Sequence, residues 1–303
     1  MPDQHPMNRH ISQNAPPSPS PCGEKADVAV VYRIYPGISK KPAFYGNDKW
    51  KLAELCLKSF KNSLGSMRIR LWALLDSCPP QYCDLFKRHF GETVECIGLD
   101  KAGNAKSFQA QIDLLLDQGA SEMVYFAEDD YFYLPGRFQD MVRFLSNHPG
   151  DFVTPYDHPD YYTMRFHDHP NRIATDSDGH WRTVNSTCLT FMTTKSTLKR
   201  TRKAFLTYLK GNSDAGIWLS LTKSGLFNPF LAARNLLGGE RYYRIWLKTW
   251  YFGWKRILFG KKRNIWAPVP SIATHMESQY LAPVVDWPGA FRKTASDLHY
   301  PPS

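Results

Sequence analysis

The chain is predicted to fold as an α/β domain, a mixed sheet flanked by helices, with a basic amphipathic helical segment towards its C-terminal end. Three observations carry this. Between residues 27 and 128, apolar runs alternate with amphipathic stretches in the order strand, helix, strand, helix, strand, helix, strand. That alternation builds parallel strands joined by right-handed crossovers. The fourth apolar run, Met123 to Ala127, passes straight into Glu128, Asp129 and Asp130. Finally, Tyr242 to Leu258 repeats aromatic and basic residues with helical spacing.

Residues 1 to 26 carry Pro16, Pro17, Pro19 and Pro21 among polar residues. They read as a disordered leader, too poor in apolar residues to offset the entropy of ordering. Asp27 to Tyr35 is a first buried strand, stopped by Pro36-Gly37, with Arg33 near its carboxyl end. Asp48 opens a helix whose Trp50, Ala53, Leu57, Phe60 and Leu64 share one face, closed by Gly65. Arg68 to Leu75 is a second strand ending at Asp76, Tyr82 to Phe90 a short helix, and Thr93 to Leu99 a third strand. Lys106 to Gln118 sets Phe108, Ile112 and Leu115 on one helical face. After the acidic strand, 138–145 reads as helix and 151–155 as strand. Trp181 to Thr193 reads as one strand and Lys195 to Leu209 as a basic helix; Gly211-Asn212-Ser213-Asp214 then caps a helix bearing Ile217, Trp218, Leu219 and Leu221, ended by Gly225.

Three consecutive carboxylates cannot stay buried and unpaired, so they belong at a strand end, where the crevice of an open α/β sheet lies. Oxygen ligands suit Mg²⁺ or Mn²⁺ shared with substrate phosphates. The formal net charge of +10 adds an expectation of an anionic partner. No nucleic-acid-binding module surrounds the basic residues, so nucleic acid is not that partner. The six cysteines show neither a CxxC pair nor zinc spacing. Cys56, Cys96 and Cys188 fall within predicted helix or strand and read as free, reduced thiols, which places the protein in the cytoplasm. The N-terminus lacks the apolar core of a signal peptide, and no run of 18 uncharged apolar residues spans a bilayer.

The order of elements, with Asp76, Gly103-Asn104-Ala105-Lys106-Ser107 and Glu128-Asp129-Asp130, resembles the nucleotide-sugar-binding half of a GT-A glycosyltransferase. It is most similar to glycosyltransferase family 2, over about residues 27 to 225. In that family an Asp at the end of the second strand contacts the nucleotide base, and Asp76 occupies the place. The resemblance implies Arg33, Asp76, Lys106 and Asp129 in binding a nucleotide-diphosphate sugar. It implies Glu128 and Asp130 as ligands of Mn²⁺ or Mg²⁺, with the late His275 completing the metal shell. The family motif is Asp-any-Asp, so Glu128 keeps the charge and changes the reach. A second acidic motif at a helix start supplies the general base of inverting enzymes; Asp214 matches its second acid, while Ser213 replaces the first. The other use of Asp214 is as a helix N-cap.

Tyr156 to Tyr162 and His167-Asp168-His169 form a polar, aromatic loop. It reads as an acceptor-side loop with platforms for a sugar; the alternative is a second metal site. On a helical wheel, Tyr243, Trp246, Leu247, Trp250, Trp254, Ile257 and Leu258 fall on one side and Arg241, Arg244, Lys248 and Lys255 on another. Such a helix lies in a membrane interface or packs its Trp face on the domain; contact with an anionic membrane is the expectation. The domain plan is a catalytic domain over 27–233, the basic aromatic segment over 234–264, and a C-terminal segment over 265–303 that returns to the active site. The function expected is metal-dependent, inverting transfer of a sugar to a glycan or lipid-linked acceptor at the cytoplasmic face of a membrane. The rivals are a metal-dependent phosphohydrolase using the His/Asp loop and a non-enzymatic membrane-binding module.

Overall fold

A computed structural model describes residues 25–38, 40–148, 150–176, 179–237 and 240–301. The leader expected over 1–26 lies outside the described residues but for its last two. The strands are β1 (Val28–Ile34), β2 (Ile69–Asp76), β3 (Glu95–Leu99), β4 (Met123–Glu128), β5 (Tyr131–Tyr133), β6 (Phe152–Val153), β7 (Ile173–Asp176), β8 (Gly179–Val184), β9 (Phe191–Thr194), β10 (Ile265–Val269) and β11 (Ala273–His275). The helices are α1 (Lys49–Ser63), α2 (Gln81–Phe90), α3 (Gly103–Asp117), α4 (Phe138–Asn147), α5 (Asp160–Thr163), α6 (Lys195–Phe205), α7 (Asp214–Thr222), α8 (Pro229–Leu237), α9 (Glu240–Phe259) and α10 (Trp287–Asp297).

A nine-stranded mixed sheet runs in the order β3-β2-β1-β4-β9-β6-β10-β8-β7, and β5 pairs with β11 in a small second sheet. The β3-β2-β1-β4 half is parallel throughout, and β9 runs antiparallel to both β4 and β6. Every residue of β1 is buried, because helices cover both faces. Val28, Val30 and Tyr32 face α1 and α2 through Leu55, Phe60 and Phe86. Ala29 and Val31 face α3, α6 and α7 through Phe108, Ile112, Phe205 and Trp218. The two-residue period of a strand thus feeds two separate cores.

Asp48 caps α1 by accepting from the Lys51 amide at 3.1 Å, and Gly65 follows that helix at φ +59°, a conformation that costs glycine nothing. Strand order reverses between β1 and β4, since the chain winds outward from β1 in both directions; such a switch point leaves a crevice at the carboxyl ends of the strands. There Gln111 of α3 donates to the Val31 carbonyl at 2.8 Å and the Ala127 carbonyl at 3.1 Å, tying the two strands together.

Four expectations change. The strand expected over 181–193 is two, β8 and β9; between them Asn185 leaves the sheet, donating to the Phe166 carbonyl at 2.8 Å. Helix α3 begins at Gly103 rather than Lys106, because the Ala102 and Gly103 amides are bound by the Asp76 carboxylate. Helix α8 was not expected at all. Cys96 is not a free thiol: α2 packs beside β3 with the Cys83 and Cys96 Cα atoms 5.9 Å apart, and the two form a disulfide. Cys56, Cys78 and Cys188 are free.

Candidate functional site

The crevice at the β1–β4 switch point is a cleft of about 750 Å³. Strand β1 delivers Arg33 to it, β2 ends in Asp76, and β4 delivers the acidic triplet. Strand β11 delivers His275, because its antiparallel pairing sets His275 opposite Tyr131, the residue after Asp130.

The three acids have three different fates. Glu128 is half-buried and forms an ion pair with Arg33, whose other guanidinium nitrogen donates to the Asn104 carbonyl at 3.0 Å. Its second oxygen accepts from the Thr190 hydroxyl at 2.6 Å. Asp129 pairs with Lys49 at 2.5 Å and accepts from the Tyr35 amide at 3.2 Å. Burial raises its pKa above the ordinary carboxylate range, against the pull of Lys49 and with the push of Asp130. Asp130 lies 3.1 Å from His275 Nε2 through one oxygen, and its buried Oδ1 has no hydrogen-bond partner. Burial acts to raise the Asp130 pKa, yet His275, Lys49 and Arg33 outweigh it and hold the group at about 2. Asp130 is therefore ionised.

His275 is fixed from two sides. The Tyr131 ring meets it edge-on at 5.3 Å, and Nδ1 accepts from the Glu277 amide at 3.1 Å. A ring nitrogen that accepts from an amide carries no proton, so in the neutral ring the proton sits on Nε2 and is donated to Asp130. Burial lowers the His275 pKa and Asp130 raises it, with Asp130 prevailing; the Glu277 amide opposes a proton on Nδ1. As placed, His275 orients Asp130 rather than offering a lone pair to an ion.

These groups fit a divalent ion in one way only. Among the described residues no three His, Cys, Asp or Glu side chains are grouped to hold a metal, so there is no all-protein cage. An orphaned, ionised carboxylate oxygen in a cleft wall does fit a hard ion shared with a diphosphate, since Mg²⁺-type sites use one or two carboxylates plus substrate phosphates. Glu128, expected as a ligand, is already neutralised by Arg33.

Of the other expected residues, Asp76 lines the cleft but spends both oxygens on the start of α3, accepting from Ala102 N at 2.9 Å and Gly103 N at 2.7 Å. Lys106 is exposed and does not line the cleft, whereas Gly103, Asn104 and Ser107 of the same segment do. Asp214 lies outside the lining. It sits at the first position of α7, and its cap role is taken by Ser213, whose hydroxyl accepts from Gly216 N at 3.1 Å. Burial pushes the Cys188 thiol up, and Asp214, Glu128 and Asp130 all add to that push. Asp214 is therefore within electrostatic reach of the same buried thiol as the β4 acids.

The His/Asp loop assembles no second centre. His167 bonds Asn185 and burial lowers its pKa to about 4. Asp157 is held by Arg182 and Tyr162, His169 by the Pro170 carbonyl, and Asp168 by Arg234.

Sequence reasoning missed Lys49, Lys101 and Tyr35, all lining the cleft. Lys49 had a legible signal. A cation in the first turn of a helix opposes the macrodipole, so a lysine directly after an Asp cap has its reason elsewhere.

No protein-family model matches the chain, and no curated protein matches it. Solved structures similar to it include a Desulfovibrio desulfuricans protein described as a "putative nucleotide-diphospho-sugar transferase" (13% identity, 65% of this chain and 76% of that one, TM-score 0.40). The galactosyltransferase LgtC, in complex with donor and acceptor sugar analogs, is 11% identical over 91% of this chain and 98% of its own, with a TM-score of 0.42. A Pyrobaculum calidifontis mannosyltransferase in complex with GDP-Man and Mn²⁺ is 13% identical over 66% of this chain and 52% of its own, with a TM-score of 0.38. Likeness at these values carries no weight for activity.

Proposed function

We propose that this chain is a glycosyltransferase that binds a nucleotide-diphosphate sugar in the β1–β4 cleft and transfers the sugar to an acceptor hydroxyl. The observation that carries the reading is Asp130 Oδ1: a buried, ionised carboxylate oxygen with no protein partner, in the wall of a cleft large enough for a nucleotide sugar.

Tyr35, 54% exposed at the cleft, offers a ring face for the nucleotide base. Lys101, exposed in the cleft wall, supplies positive charge for the diphosphate. A divalent ion, when bound, would be held by Asp130 and the diphosphate, and its chemistry is to offset the charge growing on the leaving diphosphate. His275 keeps Asp130 oriented for that task, as a neighbour that fixes a ligand does. Asp214 accepts the acceptor's hydroxyl proton while that oxygen bonds to the anomeric carbon. The bond to the diphosphate oxygen breaks, and its electron pair leaves with the nucleoside diphosphate. Attack from the face opposite the leaving group inverts the anomeric centre.

The experiment is a survey of nucleotide sugars with candidate acceptors, following nucleoside diphosphate and glycosylated product by mass. Release of the nucleoside diphosphate with matching sugar on the acceptor supports transfer. Release of inorganic phosphate from donors or simple phosphoesters, with no sugar transferred, would replace this reading with a phosphohydrolase.

A further inference from the structure

We propose that the outward side of α9 docks the protein on an anionic lipid bilayer. The inference is independent of the chemistry in the cleft.

Helix α9 has a settled inner side. Thr249 and Ile257 are buried, Trp246 and Trp250 pack against Leu219 and Leu226, and a Cβ on Gly253 would come within 2.8 Å of Ser220 Cβ. The two tryptophans are thus partly core, as the packing alternative required.

A different set of apolar residues faces out. Tyr243, Leu247, Tyr251, Trp254 and Leu258 are 42%, 40%, 77%, 47% and 49% exposed. At 100° per residue they occupy one arc of about 80°. Arg244, Lys248 and Lys255 occupy the arc beside it, and Lys261 and Lys262 follow, all exposed. Phe227, 60% exposed, meets Trp250 edge-on at 6.1 Å and extends the apolar strip.

The arrangement selects its partner. Two adjoining arcs, one apolar and one cationic, suit the plane between acyl chains and phosphates: aromatic rings sit at headgroup level and lysines reach outward to the phosphates. Every charged residue from Arg241 to Arg263 is Lys or Arg. A second copy docking face to face would set lysines against lysines with no acid on this stretch to meet them. Among the described residues no helix is long and apolar enough to cross a membrane, so the contact lies along the surface.

The test uses the full chain, without donor or metal, sedimented with vesicles of phosphatidylcholine alone or mixed with phosphatidylglycerol. Binding is expected to the anionic vesicles, falling as salt rises. Leu247→Ser/Trp254→Ser/Leu258→Ser and Lys255→Glu/Lys262→Glu should each lower the partition by roughly tenfold or more. These side chains are exposed, so the melting temperature should hold. Should the apolar variant fail to fold, quenching of the native tryptophans by acyl-brominated lipid decides, with quenching expected. No binding to anionic vesicles, no quenching, or self-association abolished by the apolar variant would overturn the proposal.

Discussion

Arg33 and Glu128 are register partners across the parallel β1–β4 pair, and their side chains meet as an ion pair at the point where strand order reverses. Residues opposite one another in a parallel pair point to the same face, so strand pairing itself brings them together. The pair joins the two strands at the cleft that both residues line, and it makes Glu128 a structural acid.

Glu128→Gln should therefore act on the fold before it acts on binding. It leaves the guanidinium, only 11% exposed as a side chain, without its counter-charge, at a cost of about 3 kcal/mol. The check is the urea midpoint together with metal-dependent donor binding. Unchanged stability with donor binding lost would make Glu128 a ligand instead.

Ser213 caps α7 while the proposed reading gives Asp214 the chemistry, and two substitutions separate the roles. Asp214→Asn should lower transfer by about 10²- to 10⁴-fold, with donor affinity and melting temperature near wild type. Ser213→Ala removes the cap on Gly216 N and should lower stability by about 1 kcal/mol, leaving donor affinity intact. Transfer retained by Asp214→Asn would assign the base elsewhere.

The Asp130 pKa sets an acid limb. A carboxylate whose folded pKa lies below its unfolded value stabilises the fold above the unfolded value and loses that contribution as pH falls through the folded one. Asp130 drops from 3.8 to about 2, so its contribution is present above about pH 4 and fades towards pH 2. Urea midpoints followed across that window should fall less steeply for Asp130→Asn than for wild type. Equal slopes would mean that His275 does not hold the carboxylate down.

Reduction of Cys83–Cys96, which closes a short loop over a sequence separation of 13, should cost roughly 3 kcal/mol, as loops of that length do. Comparing Cys96→Ser with wild type in urea, with free thiols titrated in both, measures it. Wild-type protein with every cysteine reactive would return Cys96 to the free state expected from sequence.

Much of the fold was legible. The strands around β1 announced themselves through apolar runs, and Asp48 and Gly65 marked both ends of α1. The acidic triplet was legible as a site because its apolar lead-in fixed it to a strand end. Its internal division was not. Whether an acid meets an ion or a cation depends on Arg33, 95 residues away, and on Lys49, and neither distance can be read from spacing. The disulfide was hidden likewise, because it needs the packing of α2 on β3. The break between β8 and β9 depends on Asn185 bonding the loop after α5, a contact set by tertiary structure. The helical wheel found both faces of α9 yet merged the buried Trp246 and Trp250 with the exposed Trp254, since hydrophobicity alone does not say which apolar residues have a neighbour.

The most direct test is the binding of nucleotide-diphosphate sugars, measured calorimetrically with Mn²⁺ or Mg²⁺ and again with chelator, for wild type and Asp130→Asn. Wild type should bind one donor tightly with the ion and far more weakly without it, and Asp130→Asn should show the weak binding in both conditions with its melting temperature retained. Ion-dependent donor binding by Asp130→Asn equal to wild type, or no binding of any nucleotide sugar by wild type, would contradict the assignment of this cleft.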